Sequence, residues 1–394
     1  MIRHLFTLIW NRRRANFLLI TEMFLAFVVL FVVGSTLVYN QRNYRTPLGF
    51  GYEQVWRVSL DPGKQPQAGR LATMRQVMAR LRALPGVVAV GRTSSNTPFS
   101  GSTNASKVGA GNEGKGPIPA SGHLMEDPLR EVLQLPLVAG RWFDRRDDAS
   151  AILPAVLTRD LAEKLFPQQS PLGQVVARND EKFRVVGVVE RFRADSDLDE
   201  TRPAILMRVS PQDTAWGEAS AVLLRVRPAA GAELERRMST ETLAIAKGWS
   251  VSITTLSKQR AVRLKRMLMP VVALVLVCIF LVVNVALGLF GVLWQTIGQR
   301  RGELGVRRAM GATAGTISGQ VLGEILVLTT FGLGLGLLVA VQFPLLGVLG
   351  VPAGVYGTAM ALAAAGLYAL ATGCALYPGR LAAAIQPAVA LREE

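Results

Sequence analysis

The stretch QRRGELGVRRAMGATA, residues 299–314, decides how this chain is organised. It carries four arginines, one glutamate and three glycines between two long apolar segments. Such charge disfavours burial in lipid, whereas the flanking segments are apolar enough to enter it. An ordinary positively charged flank of a membrane span is one interpretation. That flank does not require the ordered GELGV centre, so the stretch predicts a docking surface on the cytosolic side of a membrane.

The apolar segments predict an α-helical membrane protein. Half of the 394 residues are hydrophobic, which is typical of integral membrane proteins. Four transmembrane helices are predicted, at 17–38, 268–294, 321–343 and 355–377. Each offers about the 20 residues that cross a hydrocarbon core of about 30 Å.

The distribution of Lys and Arg predicts the orientation. It places both termini and the loop 295–320 in the cytoplasm, with 344–354 as a short, uncharged outer loop. Residues 1–16 show the pattern of a cytoplasmic interfacial helix, and 378–394 form a cytoplasmic tail. A basic run at 258–266 opposes this orientation, but long translocated domains largely escape the charge rule.

The long polar segment 39–267 predicts an extracytoplasmic α+β domain. Strand–helix–strand patterns at about 50–100 and 216–256 predict a split ferredoxin-like subdomain. The intervening residues, about 101–215, predict an inserted, mainly-β subdomain. Residues 257–267 continue as a helix towards the second span and predict a stalk.

No catalytic, metal or nucleotide site is predicted in the chain. The stretch GAGNEGKG at 109–116 fits G-x-G-x-x-G, but Gly116 replaces the magnesium-binding Ser/Thr of a P-loop, and neither a preceding strand nor a following helix is predicted. His4 and His123 lack metal-ligand spacing. The acidic cluster at 195–200 predicts a solvated loop, with calcium binding as the minor alternative. The chain is therefore predicted not to be an enzyme.

The net charge of +16 raises the question of nucleic-acid binding. The basic residues of the soluble segment are dispersed, without an aromatic-interleaved block, and the predicted topology places them outside the cytosol. We therefore expect no nucleic-acid partner. Attraction to anionic lipid or envelope polymers stays open.

Polar and small residues within the spans predict helix packing. Polar side chains cost free energy when they lie in lipid, and the predicted spans contain Glu22, Asn284 and Glu324. We expect these three residues to join helices in preference to carrying protons or substrate. Glycines recur at intervals of four around the third span, a spacing that permits close approach of a helix from this chain or from a second copy. They are Gly311, Gly315, Gly319, Gly323, Gly332 and Gly336.

Taken as a helix, the loop has two kinds of contact residue. One face carries the charged residues, and Leu304, Val306 and Met310 offer apolar contacts. The complete predicted contact set is Arg300, Arg301, Glu303, Leu304, Gly305, Val306, Arg307, Arg308, Ala309, Met310 and Gly311.

Several stretches resemble one protein family. RGELGVRRAMGA at 301–312, followed by Glu324, resembles the cytoplasmic loop and third span of MacB/FtsX-type ABC transporter permeases. LAEKLFP at 161–167, with SPLG and FRVVGVV further along, resembles their periplasmic core domain. PGRLAAAIQPAVALR at 378–392 resembles their C-terminal signature.

The resemblance implies a permease subunit in a bacterial inner membrane, without a fused ATPase. A separate cytosolic ATPase dimer would grip the loop and bind ATP and magnesium, leaving this chain without a cofactor. A second permease subunit, membrane lipid, and a periplasmic adaptor or outer-membrane channel are the other implied partners. ATP binding would move the extracytoplasmic domain, a process called mechanotransmission, for export or efflux. The alternative is an envelope signalling or scaffold protein, or a regulator of cell-wall hydrolases, with no transported substrate.

Overall fold

The computed structural model describes residues 13–110, 116–179, 181–209, 220–228 and 230–383. Its helices are α1 (Arg13–Arg45), α2 (Gln67–Arg82), α3 (Leu129–Leu133), α4 (Arg159–Leu165), α5 (Ala232–Ile245), α6 (Leu256–Gln299), α7 (Arg301–Ala309), α8 (Ala314–Ala340), α9 (Gln342–Leu345) and α10 (Ala353–Ala383). Its strands are β1 (Val55–Asp61), β2 (Val87–Thr93), β3 (Ala105–Ala110), β4 (Ile118–Met125), β5 (Leu137–Gly140), β6 (Leu153–Thr158), β7 (Val175–Arg178), β8 (Glu181–Val189), β9 (Ala204–Arg208), β10 (Ala221–Val226) and β11 (Ser250–Thr255). Most of the predicted interfacial helix 1–16 lies outside the described residues.

Two compact units make up the chain. We call Asn43–Met267 the core unit, and Met1–Arg42 together with Leu268–Glu394 the membrane unit. Helices α1 and α6 each belong in part to both units.

A ferredoxin-like sheet forms one half of the core unit. Its four antiparallel strands lie in the order β11–β1–β10–β2, and α2 and α5 pack in the same hydrophobic cluster. Alternation along β1 directs Trp56, Val58 and Leu60 to this helical face. The third strand, β10, follows the insertion, as expected for a split ferredoxin-like fold.

A closed barrel forms the other half. The strand circuit β4–β3–β7–β8–β6–β9 returns to β4 through a parallel pairing with β9. Val108, Phe183 and Ile205 fill its interior, and Leu161 of α4 packs in the same cluster. Closure pairs the strands on both sides and removes exposed edges. The predicted fold class, an α+β domain with an inserted mainly-β subdomain, is confirmed.

Within the described residues, four helical segments are long and apolar enough to cross a membrane. They are Phe17–Arg45, Leu256–Gln299, Ala314–Leu345 and Ala353–Ala382. Each extends beyond its predicted apolar window, because the backbone stays helical where the side chains become polar. Pro270 does not end α6. The charged connection is shorter than 295–320, since α8 already begins at Ala314.

Candidate partner-docking site

The charged stretch forms a short helix between two spans. Only Arg300 separates the end of α6 from the start of α7. Gly311 follows α7 with φ +98°, a conformation that favours glycine, and Ala312 N donates to Arg307 O at 3.0 Å. Thr313 then caps α8, because its hydroxyl accepts from the Thr316 amide at 3.3 Å. The turn residues therefore define the end of α7 and the start of α8.

The inner side of α7 is anchored by an apolar contact. Leu304 is only 5% exposed and packs with Ile297, Ile317 and Ala382. The expectation that Leu304 offers its side chain to a partner is therefore corrected. Its helical position turns it towards the neighbouring spans, and its burial fixes α7 against them.

Charged residues form a network on this inner side. Arg300 Nη1 donates to both carboxylate oxygens of Glu324, at 3.0 and 3.2 Å. Gln320 Nε2 donates to Glu324 Oε1 at 3.2 Å. Arg307 reaches Gln320 Oε1 at 2.7 Å and Glu303 Oε1 at 2.6 Å. Each of these cations has a carboxylate near it, which offsets the desolvation of both charges.

This network changes the role of two predicted contact residues. Arg300 and Arg307 are engaged within the chain, because α8 supplies Glu324 and Gln320 to them. Glu324 of α8 pairs with Arg300, the residue between α6 and α7. Arg308 is half-buried, and the side chain of Arg301 lies outside the description.

The outer side of α7 is partly apolar and exposed. Met310, just after the helix, is 76% exposed and Val306 is 42% exposed. Ala309 and Glu303 share this exposed surface, whereas Gly305 is buried. We call Glu303, Val306, Ala309 and Met310 the outer face of α7. The structure thus narrows the predicted contact set to a smaller exposed patch.

The glycine series divides into two groups. A Cβ at Gly332 would lie 2.6 Å from Met23 Cβ, and one at Gly336 would lie 2.3 Å from Phe27 Cδ1. These two glycines therefore permit α8 to pack against α1 of the same chain. A Cβ at Gly319 or at Gly323 would meet nothing within 4 Å among the described residues.

The first members of the series also differ from each other. Gly311 lies outside α8 and serves the turn, so it is not part of a helical stripe. Gly315 lies in the first turn of α8, where a Cβ would come only within 4.0 Å of Thr313 Oγ1. Close packing is therefore observed at Gly332 and Gly336 and not at Gly311 or Gly315.

The remaining intramembrane polar residues behave differently. Asn284 is exposed and donates to Phe280 O of its own helix at 2.8 Å, so within the described chain it does not join helices. Its amide is satisfied one turn away. Glu22 lies against α6, since a Cβ at Gly288 would come 2.3 Å from Glu22 Oε1. This approach agrees with a packing role for Glu22.

The glycine-rich stretch 109–116 begins at the end of β3 and ends, in sequence, two residues before β4. Gly109 and Ala110 end β3, which pairs antiparallel with β4. The expectation that no strand precedes the stretch is wrong. A strand also follows, where a phosphate-binding loop would require a helix. Residues 111–115 lie outside the description.

The acidic cluster is only partly solvated, since Glu200 is exposed and Asp195 and Asp199 are half-buried. Asp197 is only 4% exposed and pairs with Arg260. Among the described residues no group of three or more His, Cys, Asp or Glu side chains is arranged to hold a metal ion. His123 is buried beside Asn96, and burial lowers its pKa to about 4. The carboxylate serves an ion pair that sequence reasoning missed, although runs of opposite charge at 195–200 and 258–266 were visible.

Comparisons with known protein families define the class of this chain. Residues 23–240, more than half of it, match the family described as MacB-like periplasmic core domain. Residues 272–387 match the family described as FtsX-like permease C-terminal. The chain belongs to the MacB/FtsX-type family of ABC transporter permeases, as its sequence predicts.

Individual relatives are distant. Macrolide export ATP-binding/permease protein MacB of Marinobacter nauticus is 28% identical over 278 residues, covering 66% of this chain and 41% of that protein. Uncharacterized ABC transporter permease YknZ of Bacillus subtilis is 23% identical over 291 residues, covering 68% of this chain and 69% of that protein. The crystal structure of the periplasmic region of MacB from Actinobacillus actinomycetemcomitans matches with a TM-score of 0.39 at 15% identity, covering 55% of this chain and 95% of that one. The chain thus spans about two fifths of the Marinobacter relative.

Proposed function

We propose that this chain is the membrane subunit of an ATP-driven exporter of the bacterial inner membrane. A separate cytosolic ATPase dimer docks on the outer face of α7 and binds the ATP and magnesium. Family membership supports the transporter class. The observation that carries the docking site is the exposure of Met310 and Val306 on a helix whose opposite side is anchored.

An anchored helix with an exposed apolar face suits a helix-in-groove contact. In that mode a short helix lays its apolar side chains into a groove of the partner. Leu304 and the Arg300–Glu324 pair hold α7 before the partner arrives. A pre-positioned helix loses less conformational freedom on binding, which favours affinity.

The same connections offer a route for force. α6 is one helix of 44 residues, about 66 Å long at 1.5 Å per residue. Its first residues belong to the core unit and its last residue is one position from α7. We propose that displacement of α7 by the ATPase moves α6 and thereby the core unit, so that this chain transmits mechanical work.

Other partners would cover the apolar side chains that are exposed in the single chain. Large apolar side chains of α6, among them Leu276, Phe280 and Leu287, are exposed in the isolated subunit. We propose that lipid and a second permease subunit cover them, and that the core unit works with a periplasmic adaptor or outer-membrane channel. Relatives named for macrolide and pyoverdine export support export as the direction of transport.

Co-purification from the native membrane tests the docking site. Met310→Glu and Val306→Glu place charge on the outer face of α7, and we expect each to reduce recovery of the ATPase at least tenfold. Leu346→Glu is the matched control, because Leu346 is 74% exposed and lies in the connection between α8 and α10. Recovery with this control should equal that of the parent.

Two results would contradict different parts of the proposal. Full recovery of the ATPase with both outer-face variants would exclude this face as the docking site. A parent chain that brings down no ATP-binding-cassette subunit would exclude the transporter subunit itself and favour the scaffold alternative.

A further inference from the structure

One loop of the core unit contacts both chain segments that connect this unit to the membrane helices. It follows β8 of the barrel, and we call residues 191–200 the clamp loop. Its neighbours are the end of α1 with the residues just after it, and the beginning of α6. The two contacts use different chemistry.

Arg193 binds the segment that leaves α1. Its side chain is only 4% exposed. Nη1 donates to Asn43 O at 3.0 Å and to Thr46 O at 2.8 Å. Nη2 donates to two carbonyls of the clamp loop itself, those of Asp197 at 3.1 Å and Asp199 at 2.7 Å. One guanidinium thereby fixes the end of α1 to the fold of the loop.

Backbone and amide bonds reinforce this contact. Asn43 Nδ2 donates to Leu198 O at 2.8 Å, and the Arg193 amide donates to Leu48 O at 3.0 Å. These bonds are buried, so water does not compete for them directly. The end of α1 and the clamp loop therefore form one rigid element.

Arg260 binds the loop from the side of α6. Its Nε contacts both Asp197 oxygens at 3.0 and 3.1 Å, and its Nη2 donates to Oδ1 at 2.7 Å. The guanidinium also lies 4.6 Å from the Tyr52 ring centroid, and its Nη1 donates to the Tyr52 hydroxyl. Hydrogen bonding to Asp197 raises the pKa of Arg260. Ser196 Oγ adds a contact to Met267 Sδ at 2.6 Å.

We propose that the clamp loop is the joint that couples α1 and α6 to the barrel, with Arg193, Asp197 and Arg260 as its positioning residues. This inference rests on the proposed function, in which α6 carries displacement into the core unit. β11 passes directly into α6, so the ferredoxin-like half follows α6 through the chain itself. No barrel strand runs into α6. The barrel joins the ferredoxin-like sheet where β2 pairs with β4, and Leu256 of α6 packs in an apolar cluster with barrel residues. The clamp loop adds the polar contact that fixes the barrel to α6.

The inference separates the two halves of the core unit. Loss of the Arg260–Asp197 pair should loosen the barrel relative to α6 more than it loosens the ferredoxin-like half. A general loss of stability would loosen both halves together. Two distances measured within the same chain therefore distinguish a joint from a merely structural contact.

Spin-label distances in the full-length chain, reconstituted in lipid nanodiscs with its co-purified ATPase, test this. One label is at Val262 on α6. The second is at Val138 on β5, which pairs with β8 of the barrel, or in a separate sample at Leu243 on α5. All three positions are exposed, at 51%, 45% and 44%. The native Cys278 and Cys374 are replaced by alanine.

Arg260→Gln should broaden the distance distribution from 262 to 138 at least twofold, and further when ATP is bound. The distribution from 262 to 243 should keep its width, and ATP turnover should stay within about twofold of the parent. Asp197→Asn should reproduce the effect. Lys258→Gln removes a charge from an exposed position two residues away and should change neither distance.

Unchanged width from 262 to 138 in both Arg260→Gln and Asp197→Asn would overturn the joint. Equal broadening of the two distances would also overturn it, because the pair would then be a general stabiliser. If Arg260→Gln folds poorly, Arg260→Lys takes its place. This variant keeps the charge but loses the multiple contacts, so the same broadening of the 262–138 distance is expected. The distances measured without nucleotide report on the joint even if no ATPase binds. Absence of a bound ATPase would contradict the proposed function and would leave the test of the joint intact.

Discussion

The two ends of α6 are each held by an arginine–carboxylate pair, and the pairs differ in construction. At the core-unit end, Arg260 uses Nε, Nη1 and Nη2 on Asp197 and Tyr52. At the α7 end, Arg300 uses Nη1 alone on Glu324, and its Nε has no hydrogen-bond partner among the residues that the structure describes.

The difference shows where stiffness is placed along a transmitting helix. A guanidinium bound through several nitrogens has a defined orientation, whereas one bound through a single nitrogen can swivel. The core-unit end is therefore the fixed end of α6. At the α7 end the Arg300 guanidinium is less constrained, and α7 is held there chiefly by the packing of Leu304.

The largest expected effect comes from removing the carboxylate at the fixed end. Asp197→Ala leaves the Arg260 guanidinium without its counter-ion, and the core unit should lose about 2–3 kcal/mol of unfolding free energy, less than a fully buried pair because Arg260 is partly exposed. Chemical denaturation of the full chain, followed by hydrogen exchange of barrel amides, measures it. A loss of unfolding free energy below about 0.5 kcal/mol would mean that the core-unit end of α6 is held no more tightly than the α7 end.

A smaller loss is expected at the other end. Glu324→Gln keeps the shape and one acceptor for Arg300 but removes the charge, so about 1–2 kcal/mol should be lost. Thermal unfolding of the membrane unit in detergent measures this. Gln320 remains to hydrogen-bond the new amide, and a loss exceeding that of Asp197→Ala would reverse the comparison.

Lysine substitutions compare the ends more directly. Arg260→Lys loses the multiple contacts and should cost about 1–2 kcal/mol, whereas Arg300→Lys replaces a single donating nitrogen and should cost under about 0.5 kcal/mol. Both variants are measured under the same denaturation conditions. Equal costs would show that the number of donating nitrogens does not control stiffness here.

The last comparison concerns the aromatic ring at the fixed end. Tyr52→Phe keeps the aromatic face under Arg260 but removes the hydroxyl that accepts from Nη1, and should cost about 0.5–1 kcal/mol. Tyr52→Ala removes both and serves as the comparison. A tyrosine-to-phenylalanine cost as large as the alanine cost would assign the whole contribution to the hydroxyl.

Much of the architecture was predictable because it depends on local patterns. Runs of apolar residues as long as 268–294 have few alternatives to a membrane helix. The alternation of Trp56, Val58 and Leu60 shows the sheet face that helices cover. The GELGV centre indicated an ordered element, and the structure has a helix there, α7.

The details that sequence reasoning missed depend on distant residues. Leu304 looked like a contact residue, because the sequence does not show which side of α7 meets Ile317. Asp197 looked solvated, because Arg260 lies 63 positions further along the chain. Gln320 gave no signal, since a single amide at the start of a span has many possible roles.

Hydropathy, periodicity and turn residues act over short stretches of chain, so the sequence alone was sufficient to predict the family, the four candidate spans, the ferredoxin-like half and an ordered charged segment between two spans. The tertiary fold was needed to see that Arg300 and Arg307 are paired within the chain. It also decided that the acidic run fastens α6. Charge pairing acts through space, and a pattern of charges along the chain does not specify which partners folding brings within 3 Å.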